Sequence, residues 1–304
     1  MMSTPVRDSF VGAVTFLFAL QTSSSSVTTT TAFLLAGSND HSNHQYSSNI
    51  QPARATTRTI RQRLFSQSNR IMEETEEQSS SGSYSPQATL RILALHGSEG
   101  DANEFPHRLL ALNQTLMKHS INLDITAVQG PFPKGSGFSW WTMPPGVRSF
   151  NAKEYEGFEE SATRVLDCWK NNDFDMVLGH SQGAILIASL MALNRVPYHP
   201  KRGYIFNGVS FPNPYTQDVA TLTVVPTITP PFPPKILFIL GRKDKITPNA
   251  SGEQLREGFS KAGFQVDSCY HNGGHGFPQQ NDPEALTTIA RWIYDDNDSS
   301  TSKL

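Results

Sequence analysis

The pentapeptide at residues 179–183 restricts the fold of this chain more than any other segment. It reads GHSQG, a pattern typical of a serine on a sharp turn between a strand and a helix. The apolar residues 176–178 precede it as a short strand, and residues 184–188 continue it as the opening of a helix. The segment therefore predicts a strand, a tight turn and a helix, with the hydroxyl of Ser181 presented at the turn.

The rest of the chain from residue 90 alternates short apolar runs with longer segments of helical period. The predicted strands cover residues 90–95, 123–128, 176–178, 204–206, 236–240 and 266–270. The predicted helices cover residues 104–118, 155–170, 183–194, 251–262 and 283–294. This alternation is typical of parallel strands joined by crossover helices. We therefore expect an α/β fold in which helices flank both faces of a mostly parallel central sheet.

Two segments break this alternation, residues 131–150 and residues 211–234. Both are rich in proline, glycine and aromatic residues, so we expect irregular loops. Each follows the end of a predicted strand, where parallel sheets form their binding crevice. We therefore predict an apolar substrate pocket lined by Phe138, Trp140, Trp141 and Met143. The alternative is that these side chains pack the loop itself.

The first 85 residues have a composition unlike the remainder. The apolar run at residues 10–20 follows Arg7 and fits a secretory signal, being too short to span a bilayer. Residues 41–72 contain several arginines and no acidic residue, as transit peptides do. We expect a targeting presequence and linker over residues 1–85, with import into a plastid, and a disordered tail over residues 298–304. A mitochondrial presequence, or no address and a cytoplasmic protein, is the alternative.

Charge and cysteine content exclude several other functions. The net charge is −2, and the basic residues that cluster lie ahead of the folded part, so we expect no nucleic-acid partner. Cys168 and Cys269 have no histidines at metal-ligand spacing and are interpreted as reduced buried thiols. No phosphate loop or dinucleotide fingerprint occurs either. We expect no metal or organic cofactor, and no transmembrane segment in the mature protein.

A serine nucleophile needs a base, and the base needs a group that orients it. Asp244 follows the predicted strand 236–240, at the edge of the sheet where Ser181 is expected. His275 lies in a glycine-rich loop after the last strand, which lets the imidazole reach back to the serine. The order serine, acid, histidine matches this arrangement. For Asp244 the alternative is a turn residue, and for the base it is His271.

The reaction also requires main-chain N–H groups that stabilise the oxyanion of the tetrahedral intermediate. One is expected from Gln182, the residue after the nucleophile. The other is expected from Ser98, because His96 and Gly97 follow the first strand and the glycine permits a turn toward the site. An ordinary turn at the end of the strand is the alternative.

Several segments together resemble the FSH family of serine hydrolases, which includes the ovarian-cancer-associated hydrolase. They are residues 91–97, the Trp140-Trp141 pair, residues 155–161, residues 179–184 and residues 274–278. The resemblance implies an α/β-hydrolase over residues 86–297 without a large separate cap domain. It also implies esterase or thioesterase activity on acyl chains, with the triad carried by Ser181, Asp244 and His275.

The chain departs from the family pattern at two places. His180 stands where the family more often has phenylalanine, and the loop after Gly97 is acidic, with Glu99, Asp101 and Glu104. We expect a serine hydrolase that cleaves small-molecule esters or thioesters through an acyl-enzyme. The alternative is a small-molecule receptor that uses the same fold with little turnover.

Overall fold

The computed structural model describes residues 88–223 and 233–294. The predicted presequence over residues 1–85 and the predicted tail over residues 298–304 lie outside these ranges. No helix within them is both long enough and apolar enough to cross a bilayer.

The described residues contain one sheet of six parallel strands and one short hairpin. The strands are β1 (Ala88–Leu95), β2 (Ile121–Val128), β3 (Phe132–Lys134), β4 (Gly137–Ser139), β5 (Met176–His180), β6 (Tyr204–Asn207), β7 (Lys235–Gly241) and β8 (Gln265–His271). The order across the sheet is β2-β1-β5-β6-β7-β8, and every neighbouring pair is parallel. All six strands expected of the main sheet are confirmed.

Helices fill the connections between these strands. They are α1 (Leu110–Met117), α2 (Phe158–Lys170), α3 (Gln182–Ala192), α4 (Thr216–Thr221), α5 (Asn249–Lys261) and α6 (Pro283–Tyr294). The five predicted helices are confirmed, although the first is preceded by a 3-10 turn at Phe105–Leu109. Pro106 lies at the start of that turn, where its missing N–H has no intrahelical partner to lose.

Helices pack on both faces of the sheet, as the alternation predicts. Buried residues of α2, α3 and α5 form one core with the side chains on one face, and those of α1 and α6 form a second core on the other. Every residue of α3 is buried. A helix buried all round is largely apolar, which explains the composition of residues 184–188. Its two polar side chains, Gln182 and Ser189, are hydrogen-bonded to main-chain groups.

The two proline-rich segments contain more regular structure than we predicted. Residues 131–150 include the hairpin of β3 and β4, with Gly135 at a φ of 58° in the turn. Phe138 exchanges two main-chain hydrogen bonds with Gly100, at 2.8 and 3.1 Å, so the hairpin is fixed to the loop after β1. In residues 211–234 the structure has a 3-10 turn at Asn213–Tyr215 followed by α4, and residues 224–232 lie outside the described part. The expectation of irregular loops was wrong for these stretches.

Candidate active site

Ser181 lies on a strained turn between β5 and α3. Its φ of 51° and ψ of −118° are rarely adopted by a residue with a side chain, and such strain costs about 1–3 kcal/mol. The turn is held by a 2.8 Å hydrogen bond from the Ser181 N–H to the carbonyl of Asn207. A Cβ on Gly179 would lie 2.4 Å from the Cα of Ala184. The first glycine of the pentapeptide is therefore required by packing, as the motif predicts.

His275 and Asp244 are joined by a short hydrogen bond. His275 Nδ1 lies 2.7 Å from Asp244 Oδ2, and the Asp244 side chain is only 2% exposed. The other carboxylate oxygen accepts hydrogen bonds from the N–H groups of Ile246 and Thr247, at 2.8 and 3.0 Å. An imidazole that donates through Nδ1 carries its lone pair on Nε2. In the described part of the chain that Nε2 atom is buried and has no hydrogen-bond partner.

His271, the alternative base, lies elsewhere. Its side chain is buried at the end of β8, and its Nδ1 accepts a 3.2 Å hydrogen bond from the Gly273 N–H. It borders a second cavity behind the loop of His275, together with Lys243 and Asn272. Burial lowers the pKa of His271. The structure therefore brings His275, and not His271, to the cavity of Ser181.

One cavity of about 280 Å³ contains the reactive groups. Its lining includes Ser181, His275, Ser98, His96, His180 and Phe105. The Gln182 N–H opens α3, where the first N–H groups of a helix lack intrahelical acceptors. The Ser98 N–H likewise makes no hydrogen bond to the described part of the chain. Both N–H groups predicted for the oxyanion are thus unengaged next to Ser181.

His96 holds the loop that carries Ser98. The imidazole is buried, its Nδ1 lies 2.7 Å from the Gly97 carbonyl, and its Nε2 accepts a 3.0 Å hydrogen bond from the Gly130 N–H. Because an acceptor faces Nδ1 and a donor faces Nε2, the neutral tautomer with hydrogen on Nδ1 satisfies both contacts. Burial lowers the pKa of His96, which maintains this neutral form. His96 is thus a structural support for the predicted oxyanion loop.

The structure does not bring the four residues of the predicted apolar pocket to the cavity of Ser181. They are Phe138, Trp140, Trp141 and Met143, and none of them lines that cavity. Trp140 and Trp141 are 0% and 1% exposed, so they pack the interior. The Trp140 indole N–H donates to the His96 carbonyl at 2.7 Å, and its main-chain N–H donates to Gln182 Oε1 at 2.9 Å.

The other three members also have packing roles. Trp141 stacks on Tyr155, with ring centroids 4.2 Å apart. Met143 is partly buried against the same core, and Phe138 belongs to β4. Trp140 and Trp141 belong to the core and thus pack more than their own loop, and the substrate-pocket interpretation remains a prediction.

Two residues that sequence reasoning did not assign to the site connect its parts. Asn207, at the end of β6, places its Nδ2 atom 2.8 Å from His180 Nδ1 and 3.2 Å from the His275 carbonyl. Burial, followed by the nearby His275, lowers the pKa of His180 to about 3. The only sequence signal for Asn207 is a polar residue at the carboxyl end of a buried strand. That signal points to the site only when β6 is known to pair with β5, because the pairing places Asn207 beside His180.

Several known proteins are similar to this chain in sequence. The family profile described as Serine hydrolase (FSH1) matches residues 85–285. An esterase named OVCA2 from Danio rerio is 30% identical over 213 residues, covering 62% of this chain and 90% of that protein. Esterase C25G4.2 from Caenorhabditis elegans is 26% identical over 208 residues, covering 65% and 90%.

Solved structures share the fold at low identity. A variant of SOBER1 from Arabidopsis thaliana has a TM-score of 0.50 at 17% identity, covering 68% of this chain and 98% of that one. Esterase PE8 has a TM-score of 0.50 at 21% identity, covering 68% and 93%. These likenesses, with the parallel sheet and flanking helices, show an α/β-hydrolase fold.

Proposed function

This chain belongs to the FSH1 family of serine hydrolases, and from that premise we propose that it cleaves carboxylic esters or thioesters of acyl chains through an acyl-enzyme on Ser181. Family membership and the esterase relatives establish a hydrolase. The observation that carries the finer proposal is the shared cavity of Ser181 and His275, together with the 2.7 Å bond from His275 to the buried Asp244.

In the proposed acylation step, the Ser181 oxygen attacks the carbonyl carbon while His275 Nε2 takes the hydroxyl proton. A neutral serine hydroxyl is a weak nucleophile, so proton removal must accompany the attack. The N–H groups of Gln182 and Ser98 would hold the developing oxyanion. Collapse of the tetrahedral intermediate expels the alcohol or thiol, which leaves with the proton from His275.

Water completes the cycle by the same route. His275 removes a proton from the water as it attacks the acyl-serine, and the second tetrahedral intermediate releases the carboxylic acid and restores the Ser181 hydroxyl. Asp244 stabilises the imidazolium in both half-reactions. Its three hydrogen bonds keep the carboxylate oriented. The carboxylate stays ionised and does not take the proton from the imidazolium.

The test is turnover of 4-nitrophenyl esters and acyl thioesters of graded length by the full chain. The proposal predicts hydrolysis by the unmodified protein and a loss of about a thousandfold or more in kcat for Ser181→Ala. Ser260→Ala, an exposed serine on α5, is the matched control and should keep the rate. Turnover that survives in Ser181→Ala, or no turnover of any ester or thioester, would overturn the proposal.

A further inference from the structure

The mouth of the Ser181 cavity carries more charge than an apolar acyl pocket would. Three basic side chains line it, Arg108, Lys134 and Arg148, and two acidic ones, Glu99 and Asp101. They come from different segments: the 3-10 turn, β3, the loop after β4, and the loop after β1. Charged groups thus face the cavity from several sides.

The acidic side chains are already engaged. Glu99 forms an ion pair with Lys134 at 3.7 Å. Asp101 Oδ1 accepts hydrogen bonds from the main-chain N–H and the side-chain amide of Asn103, at 2.7 and 2.9 Å. Lys134 in turn lies 3.0 Å from the Ser98 hydroxyl. The three side chains therefore already have partners. Glu99 and Lys134 form an ion pair, and Asp101 accepts hydrogen bonds from its own loop.

Two guanidinium groups at the cavity, unlike these three side chains, have no partner in the described part of the chain. Arg108 and Arg148 are exposed, and neither side chain forms an ion pair or hydrogen bond with the described part of the chain. Arg108 is close enough to the site that its charge contributes to lowering the pKa of both His96 and His180. Cationic groups around a partly enclosed cavity raise the local concentration of anions. A guanidinium also matches the geometry of a carboxylate or phosphate.

The volume of the cavity and its apolar surface also bear on the size of the ligand. The volume of about 280 Å³ falls just below the about 300–1,000 Å³ usual for small-ligand pockets. Ile246, 51% exposed, offers an apolar contact at the same mouth. A few methylene groups are enough to fill such a cavity.

We infer that the site takes a short acyl ester or thioester that carries an anion a few bonds from the scissile carbonyl, held by Arg108 and Arg148. The inference rests on the proposed hydrolase function and names its substrate class. The anion is either a carboxylate on the acyl group or a phosphate on the leaving group. Both present the same chemistry to a guanidinium.

Two matched substrate pairs distinguish these sources. The first compares the mono-4-nitrophenyl ester of adipic acid with 4-nitrophenyl hexanoate, which has the same acyl length without the carboxylate. The second compares butanoyl coenzyme A with butanoyl N-acetylcysteamine, which has the same thioester without the phosphates. For at least one pair we expect kcat/KM to favour the anionic member by about tenfold or more, and the preference to shrink at high salt.

The variants assign that preference to the two arginines. In the double variant Arg108→Gln with Arg148→Gln, the ratio of kcat/KM for the anionic over the neutral member should fall to about one. Arg291→Gln, which removes an exposed arginine of α6 outside the cavity, should keep the full ratio.

Each remaining outcome overturns the inference. A ratio near one for both pairs in the unmodified protein contradicts it, and so does a preference that persists in the double variant. In either case, turnover of the neutral esters leaves the hydrolase proposal standing. If none of the four compounds is hydrolysed while longer neutral 4-nitrophenyl esters are, the inference fails alone. If no ester or thioester of any length is hydrolysed, the hydrolase proposal fails and the inference fails with it.

Discussion

Asn207 Nδ2 lies 2.8 Å from His180 Nδ1, inside the interior where both side chains are buried. The same amide nitrogen lies 3.2 Å from the His275 carbonyl, and the carbonyl of Asn207 accepts the Ser181 N–H. One residue at the end of β6 therefore contacts the serine turn twice and the histidine loop once. Asn207 acts as a positioning residue for the proposed nucleophile and base.

Asn207→Leu should lower kcat more than it changes KM. The substitution keeps the branched shape but removes the donor, so His180 Nδ1 loses its partner at a cost of about 1–3 kcal/mol in unfolding free energy. The serine turn and the His275 loop also lose their common contact. In the background of His180→Phe the same substitution should cost less, because the acceptor is already gone. Additive effects on kcat and on urea unfolding would show that the contact has no coupling role.

Stability should fall as the pH is lowered below neutral, partly through His180. Its folded pKa is about 3, against 6.5 for the unconstrained residue. Between these values the unfolded chain binds a proton that the folded protein does not, so the unfolding free energy decreases as pH falls from 6.5 toward 3. His96 and His271 shift in the same direction. His180→Phe should have a shallower slope of unfolding free energy between pH 6.5 and 4. Equal slopes would contradict the buried neutral state of His180.

Gly183→Ala should destabilise the protein severely. The added Cβ would lie 2.5 Å from the Leu95 carbonyl oxygen and 2.6 Å from that of His96, both main-chain atoms that cannot move alone. Overpacking of this kind costs about 1–3 kcal/mol or more. Gly276→Ala is the control, since a Cβ there meets nothing within 4 Å. Thermal unfolding measures both, and a Gly183→Ala protein as stable as Gly276→Ala would contradict the close approach of α3 to β1.

The two tryptophans should respond differently to replacement by phenylalanine. Trp140→Phe removes the indole N–H that donates to the His96 carbonyl, so we expect a loss of about 1–3 kcal/mol in unfolding free energy. Trp141 Nε1 is buried without a partner in the described part of the chain, so Trp141→Phe loses only packing. Neither should shift the preferred ester length. A shift in Trp141→Phe would support the substrate-pocket interpretation.

Periodicity was sufficient to predict the sheet, because buried parallel strands and amphipathic helices have different hydrophobic patterns. The hairpin of β3 and β4 was missed since its strands have three residues each and depend on hydrogen bonds to Gly100. The positions of Trp140 and Trp141 could not be predicted from the sequence either. Large apolar residues beside a cleft look alike in sequence whether they face the ligand or the core.

Contacts between adjacent strand ends were equally hidden from the sequence. Asn207 and His180 are 27 positions apart, and only the pairing of β5 with β6 brings them together. Ser181, Asp244 and His275 could be proposed from the sequence because local patterns accompany each of them: a glycine-framed turn, a strand end and a glycine-rich loop. Arg108 and Arg148 have no comparable pattern.

The most direct measurement of the central claim is covalent labelling of the full chain by a fluorophosphonate, followed by intact mass and peptide mapping. A serine activated by His275 and Asp244 predicts one adduct per chain, located on Ser181. The adduct should be absent in Ser181→Ala and should form at least about a hundredfold more slowly in His275→Ala. Labelling of Ser181→Ala at the unmodified rate, or an unlabelled Ser181 in the folded unmodified protein, would contradict the proposed nucleophile.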